Sequence, residues 1–267
     1  ISWTDETWNP VRGCSRVSPG CERCYAETMA GRFCGPGQPY EGLVRIGKQG
    51  TRWTGEVRLI SERLADPLRW RKARRVFVNS MSDLFHEKLT NEEIAAVFGV
   101  MAAAPQHTFQ VLTKRAERMR EWFRWAREHG DLRSDILRVM RAHASRHAPG
   151  ISWPSLDVHA GGQDWPLRNC WLGVSVEDQQ RADERIPLLL DTPAAVRFVS
   201  YEPALGSVEF WAFLRGTLRD ASLRELRSPE MPGIDLVIVG GESGPGARPF
   251  NVRWARDVIA QCKAAGV

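Results

Sequence analysis

The sequence predicts an α/β protein built on a parallel β-sheet. Three observations predict it: short runs of β-branched and apolar residues, a longer helical segment after most of these runs, and polar or small residues where each run ends. Strands that alternate with helices form parallel sheets joined by right-handed crossovers. The 267 residues are 43% hydrophobic and 26% charged, and no linker divides them, so we expect one domain over 1–267 with its own core.

The apolar runs predict five strands, and the intervening amphipathic segments predict five helices. The predicted strands are Arg75 to Asn79, Thr108 to Thr113, Cys170 to Val176, Val196 to Ser200 and Asp235 to Val239. The predicted helices are Asn91 to Ala103 with Thr90 as its cap, Ala116 to Glu128, Ser134 to His147, Asp178 to Leu190 and Val252 to Ala265.

Two parts of the chain depart from this alternation. Residues 130–169 follow their first helix with Gly, Pro and Trp residues that have no periodicity, Trp153 and Trp165 among them, and we expect an insertion or a lid over the site. The sequence starts without Met and stops at Gly266-Val267, where another strand would normally follow. We therefore expect a fragment that lacks a further βα unit, including the C-terminal strand.

Charge and hydropathy restrict the class of protein. No run approaches the roughly 18 apolar residues of a membrane span, and no signal sequence is evident, so we expect a cytoplasmic protein without a membrane partner. Lys and Arg exceed Asp and Glu by 5, which suits an anionic partner such as nucleic acid. Two basic runs are either solvated helix faces or part of such a surface: Arg69, Arg71, Lys72, Arg74 and Arg75, then Lys114, Arg115, Arg118, Arg120, Arg124 and Arg127.

Aromatic and imidazole side chains are also candidates for binding. Trp122 and Trp125 either stack on bases or, as their helical spacing favours, pack as the apolar face of a helix. Among the six histidines, His143 and His147 alone have a metal-like spacing, and we expect both at the surface.

Polar side chains follow every predicted strand. Because the carboxyl ends of parallel strands meet at one edge of a sheet, we expect these residues to form a single site, although loops are polar in any case. The Gly240-Gly241 pair would let the backbone approach a ligand closely, and Glu202 before Pro203 is either a strand terminator or a site carboxylate. The candidates are Asn79, Ser80, Ser82, Asp83, Thr113, Lys114, Ser175, Glu177, Glu202, Gly240, Gly241 and Glu242.

Three cysteines indicate a metal centre. Cys14, Cys21 and Cys24 fall within eleven residues, in a loop with two glycines and a proline, and soft thiolates select zinc or iron–sulfur clusters. Three ligands leave one metal position open, whereas Cys34 as a fourth ligand would close a structural zinc site. A metal-free group of buried thiols is the remaining alternative.

The segment from Asn9 to Cys14, with Cys24-Tyr25-Ala26-Glu27, resembles the cluster loop of radical S-adenosylmethionine enzymes, above all the branch near spore photoproduct lyase. The spacing departs from the usual three and two intervening residues, since this chain has six and two. The wider loop resembles a phage-associated family with a three-cysteine motif, and that resemblance covers almost the whole chain. Its further motifs are Ser2-Trp3-Thr4, Phe77 to His86, Val111 to Arg115, Gly173 to Glu177, Tyr201-Glu202-Pro203 and Gly240 to Ser243.

The resemblance implies a partial parallel (β/α)6 TIM-like barrel with an N-terminal Fe–S cluster loop. Cys14, Cys21 and Cys24 would bind three irons of a [4Fe-4S] cluster, and the fourth iron would take the amino and carboxylate groups of S-adenosylmethionine. The implied contacts are Tyr25 near the adenine, a group within Asn79 to Asp83 on the amino group, Thr113 and Lys114 at the carboxylate, and Ser175 and Glu177 at the ribose or carboxylate. Cys34 is the nearest candidate in sequence for a hydrogen donor.

The reaction implied is hydrogen abstraction by a 5′-deoxyadenosyl radical, formed when a reduced cluster cleaves the sulfonium. The basic runs favour a nucleic-acid base or nucleotide as substrate. A peptide or small metabolite is the first rival, and a non-catalytic nucleic-acid-binding protein with structural zinc is the second. An electron donor such as a flavodoxin or ferredoxin, and a further partner protein, complete the expected partners.

Overall fold

A computed structural model describes residues 2–48, 50–129, 133–151, 165–214, 232–244 and 246–267. A parallel sheet of six strands lies at the centre of these residues, in the order β1-β6-β7-β8-β9-β10. Two small antiparallel pairs, β2 with β5 and β3 with β4, accompany it. The strands are β1 Glu6–Trp8, β2 Val11–Arg12, β3 Val44–Gly47, β4 Gly50–Trp53, β5 Arg58–Leu59, β6 Arg75–Val78, β7 Thr108–Thr113, β8 Cys170–Ser175, β9 Val196–Tyr201 and β10 Leu236–Val239.

Helices connect the strands of this sheet. They are α1 Tyr25–Gly31, α2 Ser61–Leu64, α3 Asn91–Ala103, α4 Ala116–Glu128, α5 Arg133–His147, α6 Gln179–Leu190 and α7 Val252–Ala265, with short 3-10 helices at Pro19–Cys21, Asp66–Arg69 and Trp211–Phe213. Within the described residues, no helix combines the length and the apolar character needed to cross a lipid bilayer.

The α/β class and the five predicted strands are confirmed to within two residues at each end. The sixth strand of the sheet, β1, was not predicted, because it has three residues and Trp8 alone is buried. It becomes a strand by pairing in parallel with β6, which lies about seventy residues later in the chain. This pairing places the segment after β1, with its three cysteines, at the carboxyl end of the sheet.

The core lies between the sheet and α3, α4, α5 and α6. Thr90 begins α3 with a capping box to Glu93, as predicted, and ten of the thirteen residues of this helix are buried. Trp122 is fully buried and stacks on Phe98 with ring centroids 4.3 Å apart, so its packing role is confirmed. His143 is also buried, which makes its expected surface position wrong.

The described part of the 130–169 insertion belongs to this core. Helix α5 packs against α3, and Trp165 stacks on Phe123 at 5.2 Å between ring centroids. Trp153 lies outside the described residues, as do 130–132 and 152–164.

Gly99 provides a test of the α3–α5 contact. A Cβ atom at this position would overlap the carbonyl oxygen of Met140 and lie 3.0 Å from the Cβ of Ala144. Replacing Gly by Ala in a helix normally stabilises by up to about 1 kcal/mol. Here we expect Gly99→Ala to lower the free energy of unfolding by about 1–3 kcal/mol, measured by urea denaturation, because backbone atoms must move.

The exposed residue Gln180 on α6 supplies the control for this measurement. Gln180→Ala is expected to change the free energy of unfolding by about 0.5 kcal/mol or less. Stabilisation by Gly99→Ala would show that the two helices are not in close contact.

Candidate functional site

A cavity of about 440 Å³ opens at the carboxyl end of the parallel sheet. Residues from the cysteine loop and from the ends of β6, β7, β8, β9 and β10 line it, so the predicted convergence of strand ends is confirmed. The predicted residues that line it are Cys14, Cys21, Cys24, Tyr25, Asn79, Ser80, Ser82, Asp83, Thr113, Lys114, Ser175, Glu202, Gly241 and Glu242.

Three of the predicted residues do not line the cavity. Glu177 is fully buried beneath the cysteine loop, where it pairs with Arg185 at 3.0 Å and accepts a hydrogen bond from the Gly20 amide at 3.3 Å. Gly240 makes room for the side chain of Glu202, with which a Cβ would overlap, instead of approaching a ligand. The Cys34 thiol donates to the Gly31 carbonyl at 3.3 Å.

The cysteine loop, residues 13–24, connects β2 to α1 and is fixed at both ends. Gly13 has a φ of +90°, and a Cβ there would overlap the Glu56 carbonyl oxygen, so the turn before Cys14 requires glycine. At the other end, the buried Glu27 on α1 forms an ion pair with Arg16, and Arg16 also donates to the Glu22 carbonyl at 2.7 Å. Arg16 therefore connects the first part of the loop to Glu22 near its end and to Glu27 on α1.

Asp83 joins the ends of β6 and β7. Its carboxylate accepts hydrogen bonds from the Thr113 hydroxyl at 2.7 Å, the Lys114 amide at 3.1 Å and the Phe85 amide at 3.0 Å. It also pairs with Arg115 at 3.1 Å, and both side chains are less than 10% exposed. The Asp83 carboxylate borders the cavity, but its oxygens are occupied by these bonds, so it positions the ends of the two strands.

Arg115 connects that pair to the cysteine loop. Its guanidinium donates to the Ser15 hydroxyl at 2.8 Å and to the Ser15 carbonyl at 3.1 Å, and it lies 3.9 Å from the Cys14 sulfur. Burial disfavours the charge on Arg115, but the Asp83 and Glu87 carboxylates outweigh it and raise the pKa of the guanidinium. Arg115 therefore remains a cation beside the first cysteine.

His86 completes this network from the opposite side of Ser15. The Lys88 amide donates to His86 Nδ1 at 3.2 Å, so the imidazole hydrogen is on Nε2, which donates to the Ser15 hydroxyl at 2.9 Å. Burial, together with the Arg115 charge, lowers the pKa of His86 and keeps it neutral. With two donors already on its oxygen, the Ser15 hydroxyl has its own hydrogen left for an acceptor in the cavity.

Asn79 is the strongest indication that the cavity binds a ligand. It has a φ of +62° and is 3% exposed, and its amide oxygen accepts from the Val11 amide at 3.3 Å. Its amide nitrogen is buried without a hydrogen-bond partner among the described residues. A strained residue with an unused buried donor is typical of functional sites.

The hydroxyls of Ser80 and Ser82, which follow Asn79, already donate hydrogen bonds to other protein groups. Ser80 donates to the Asn9 side chain at 3.1 Å, and Ser82 donates to the Val11 carbonyl at 2.9 Å. By contrast, the Lys114 ammonium has no carboxylate partner within the described part of the chain, and Glu202 has only the Ser200 hydroxyl at 3.2 Å. The cavity thus offers a free cation, a free amide donor and a free carboxylate to a ligand.

The loop after β10 is tied to the cysteine loop. Arg248 forms an ion pair with Glu242 at 2.6 Å, pairs with Glu22 at 3.1 Å and donates to the Pro19 carbonyl at 2.9 Å. Glu242 therefore borders the cavity as part of a clamp between the last strand and the loop that carries Cys21 and Cys24.

The two basic runs do not converge on the cavity. The first ends at Arg75, the first residue of β6, and lies at the amino end of the sheet, where Arg74 and Arg75 pair with Glu6 and Asp5. In the second, Lys114 and Arg115 line the cavity, but Arg124 and Arg127 are exposed on α4. Their positions match solvated helix faces better than one continuous anion-binding surface.

Sequence reasoning missed four residues that shape the site. Arg115 was noted for its charge alone, and Ser15, His86 and Asn9 were not assigned a role. Their partners lie on other elements, between about 70 and 100 residues away, so no local pattern marks them. The available signal was that Asn9, His86 and Arg115 belong to the motifs Asn9 to Cys14, Phe77 to His86 and Val111 to Arg115.

The three cysteines of the predicted metal centre, Cys14, Cys21 and Cys24, all line the cavity. Among the described residues, no three His, Cys, Asp or Glu side chains are gathered to hold a single metal ion.

These features define an α/β protein with a cavity at the carboxyl edge of a parallel sheet, bordered by a three-cysteine loop. The chain matches the family described as "Protein of unknown function (DUF5131)" over residues 1–267, and it belongs to that family. No curated protein and no solved structure matches it.

The Arg115 network gives a stability prediction. Arg115→Met leaves the Asp83 carboxylate buried without its cation, and removal of one partner of a buried pair costs about 3–5 kcal/mol. We expect a loss of that size in the free energy of unfolding, measured in urea. Arg120→Met is the control, since this partly exposed residue pairs with Glu117 and Asp191, and a loss of about 1 kcal/mol or less is expected. Equal losses in the free energy of unfolding for the two variants would contradict a buried ion pair between Arg115 and Asp83.

The thiols give a pH prediction. Burial raises the pKa of Cys14 to about 12, so in the metal-free chain this thiol stays protonated at neutral pH. Its alkylation by iodoacetamide, followed by peptide mass spectrometry, should rise with pH without a plateau up to pH 10. In guanidinium chloride the rate should level off near the ordinary thiol pKa of about 8.5. A plateau near that value in the native protein would show that Cys14 is not desolvated.

Proposed function

We propose that this protein is a radical S-adenosylmethionine enzyme that carries a [4Fe-4S] cluster on Cys14, Cys21 and Cys24. The observation that carries the proposal is the location of these three cysteines: one loop brings them to one cavity at the carboxyl ends of parallel strands, beside a strained Asn79 with an unused buried donor. The resemblance of the cysteine motif supports the same reading.

We also propose that the six-stranded sheet is a partial TIM-like barrel. The Trp3 ring centroid lies 4.8 Å from that of Phe77 on β6 and 6.2 Å from that of Phe198 on β9. These strands are three positions apart in the sheet, which would separate them by about 14 Å in a flat sheet. One indole in contact with both supports a sheet that curves around the cavity.

When bound, the reduced cluster and S-adenosylmethionine would supply a 5′-deoxyadenosyl radical that abstracts hydrogen from a substrate. The chain would bind the cluster through its three thiolates and orient the cosubstrate through the Lys114 ammonium and the Asn79 amide, both of which suit a carboxylate. Ser175 and Glu202 offer hydrogen-bonding groups to a ribose, and Tyr25 lies beside Cys24 where an adenine would stack. Trp3 and Phe77 form an apolar wall that excludes water from the reacting atoms.

The substrate proposed is a small molecule, or a nucleotide or peptide group small enough to enter the cavity. The sequence favoured a nucleic-acid base, but that preference depended on basic runs, and one of them lies at the opposite end of the sheet. Arg23, Lys114 and Arg115 are the basic residues that border the cavity. A small anionic or zwitterionic substrate fits them better than an extended nucleic acid.

Anaerobic reconstitution with iron and sulfide tests the proposal. Electron paramagnetic resonance of the dithionite-reduced protein should show a [4Fe-4S] signal that changes when S-adenosylmethionine is added. Cys24→Ala should lose the signal, since each of the three thiolates is needed.

Two control variants separate the alternatives. Cys262→Ala, on α7, and Cys34→Ala should both retain the signal, because neither cysteine lines the cavity. Zinc in the purified protein that is lost in Cys34→Ala, without any cluster after reconstitution, would refute the radical enzyme and support a structural zinc site.

A further inference from the structure

Exposed apolar side chains are concentrated on α1 and on the β3–β4 hairpin that packs against it. Met29 and Phe33 are 38% and 47% exposed, and their spacing of four residues places them on one side of the helix and its continuation. Ile46, in β3, is 69% exposed. We call these three residues, which do not line the cavity, the α1 patch.

The charges around the α1 patch are positive. Arg32, Arg45 and Lys48 are exposed, and none of them has a carboxylate partner within the described residues. The nearby acidic residues are mostly neutralised, since Glu22 pairs with Arg248, Glu56 with Lys88, and the buried Glu27 with Arg16. Glu41 is the exposed carboxylate that remains.

The α1 patch is close to the cysteines. A small buried cluster of Ala26, Ala30, Leu43, Val44 and Trp53 lies beneath it, and Cys14 and Cys24 pack against that cluster. Tyr25 follows Cys24 directly, and Cys24 is the N-cap of α1. The α1 patch therefore lies on the helix that begins at Cys24, over the same small cluster against which Cys14 and Cys24 pack.

We propose that the α1 patch is the docking surface of an acidic one-electron carrier protein, an inference that rests on the proposed function. An apolar centre with Met, aromatic and Arg residues is typical of protein interfaces, and the positive rim is complementary to an acidic partner. Nucleic-acid interfaces are polar and wet, which does not suit exposed Met29 and Ile46. In the transfer the carrier is oxidised by one electron and the cluster is reduced by one electron, without exchange of atoms.

A bacterial flavodoxin in its fully reduced form is the probe. Stopped-flow absorbance would follow oxidation of the flavin by the cluster-loaded full chain. We expect the double variant Arg32→Glu with Arg45→Glu to slow this reaction about tenfold or more at low ionic strength, because charge complementarity sets the encounter rate. The wild-type rate should fall steeply with added salt.

A matched variant carries the same charge change at the opposite end of the sheet. Arg71→Glu with Lys72→Glu, exposed residues before β6, should leave the rate unchanged. Reduction by dithionite should be equal in all three proteins, which shows that the cluster and its surroundings are intact.

Three outcomes would overturn the docking proposal. The first is a flavodoxin rate in the Arg32 and Arg45 variant that equals the wild-type rate. The second is equal slowing by the control, which would indicate a general charge effect. The third is weaker binding of a single-stranded oligonucleotide by the Arg32 and Arg45 variant together with an unchanged flavodoxin rate, which would assign the surface to nucleic acid.

A failure of the proposed function would look different. In that case neither the wild type nor any variant would form a cluster that dithionite can reduce. Calorimetric titration of the cluster-free chain with flavodoxin tests the surface independently, because docking depends on α1 and its hairpin. Binding that the Arg32 and Arg45 variant loses would support the surface, and the absence of wild-type binding would refute it.

Discussion

The buried ion pair between Asp83 and Arg115 is the interaction on which the geometry of the cavity depends. Asp83 holds the ends of two neighbouring strands through the Thr113 hydroxyl and the Lys114 amide, and Arg115 extends the contact to Ser15 in the cysteine loop. A buried pair is stable only in an arrangement that satisfies both charges. Strand ends and cysteine loop are therefore fixed relative to one another by the same two side chains.

The same physical solution recurs around the loop. Glu177 pairs with Arg185 and receives the Gly20 amide, while Glu27 pairs with Arg16 and receives the Trp53 amide at 3.1 Å. Each carboxylate is desolvated, and each has its oxygens used by the protein. Charged groups whose hydrogen bonds are all made within the protein hold the thiols in place. Few polar groups are then left to bind a ligand, and such a fixed arrangement is typical of a preorganised site.

In the proposed function, the cavity and the α1 patch would serve two tasks on two faces of the cysteine loop. The inner face borders Asn79 and Lys114, where a small ligand has free donors, and Trp3 closes the cavity against the sheet. The outer face is covered by α1, whose exposed Met29 and Phe33 suit a protein surface. Substrate and electrons would thus approach the cysteines from opposite sides, and neither partner would block the other.

The main strands and helices could be predicted from the sequence, because a run such as Arg75 to Asn79 or a capped helix from Thr90 expresses its period locally. Most of the cavity lining could be predicted as well, since parallel strands bring their polar ends to one edge. That Glu6–Trp8 is a strand, and that Glu177 supports the loop instead of facing a ligand, became visible in the folded chain alone. Short strands and buried charges take their structure and role from partners far away in the chain, and no local pattern encodes those partners.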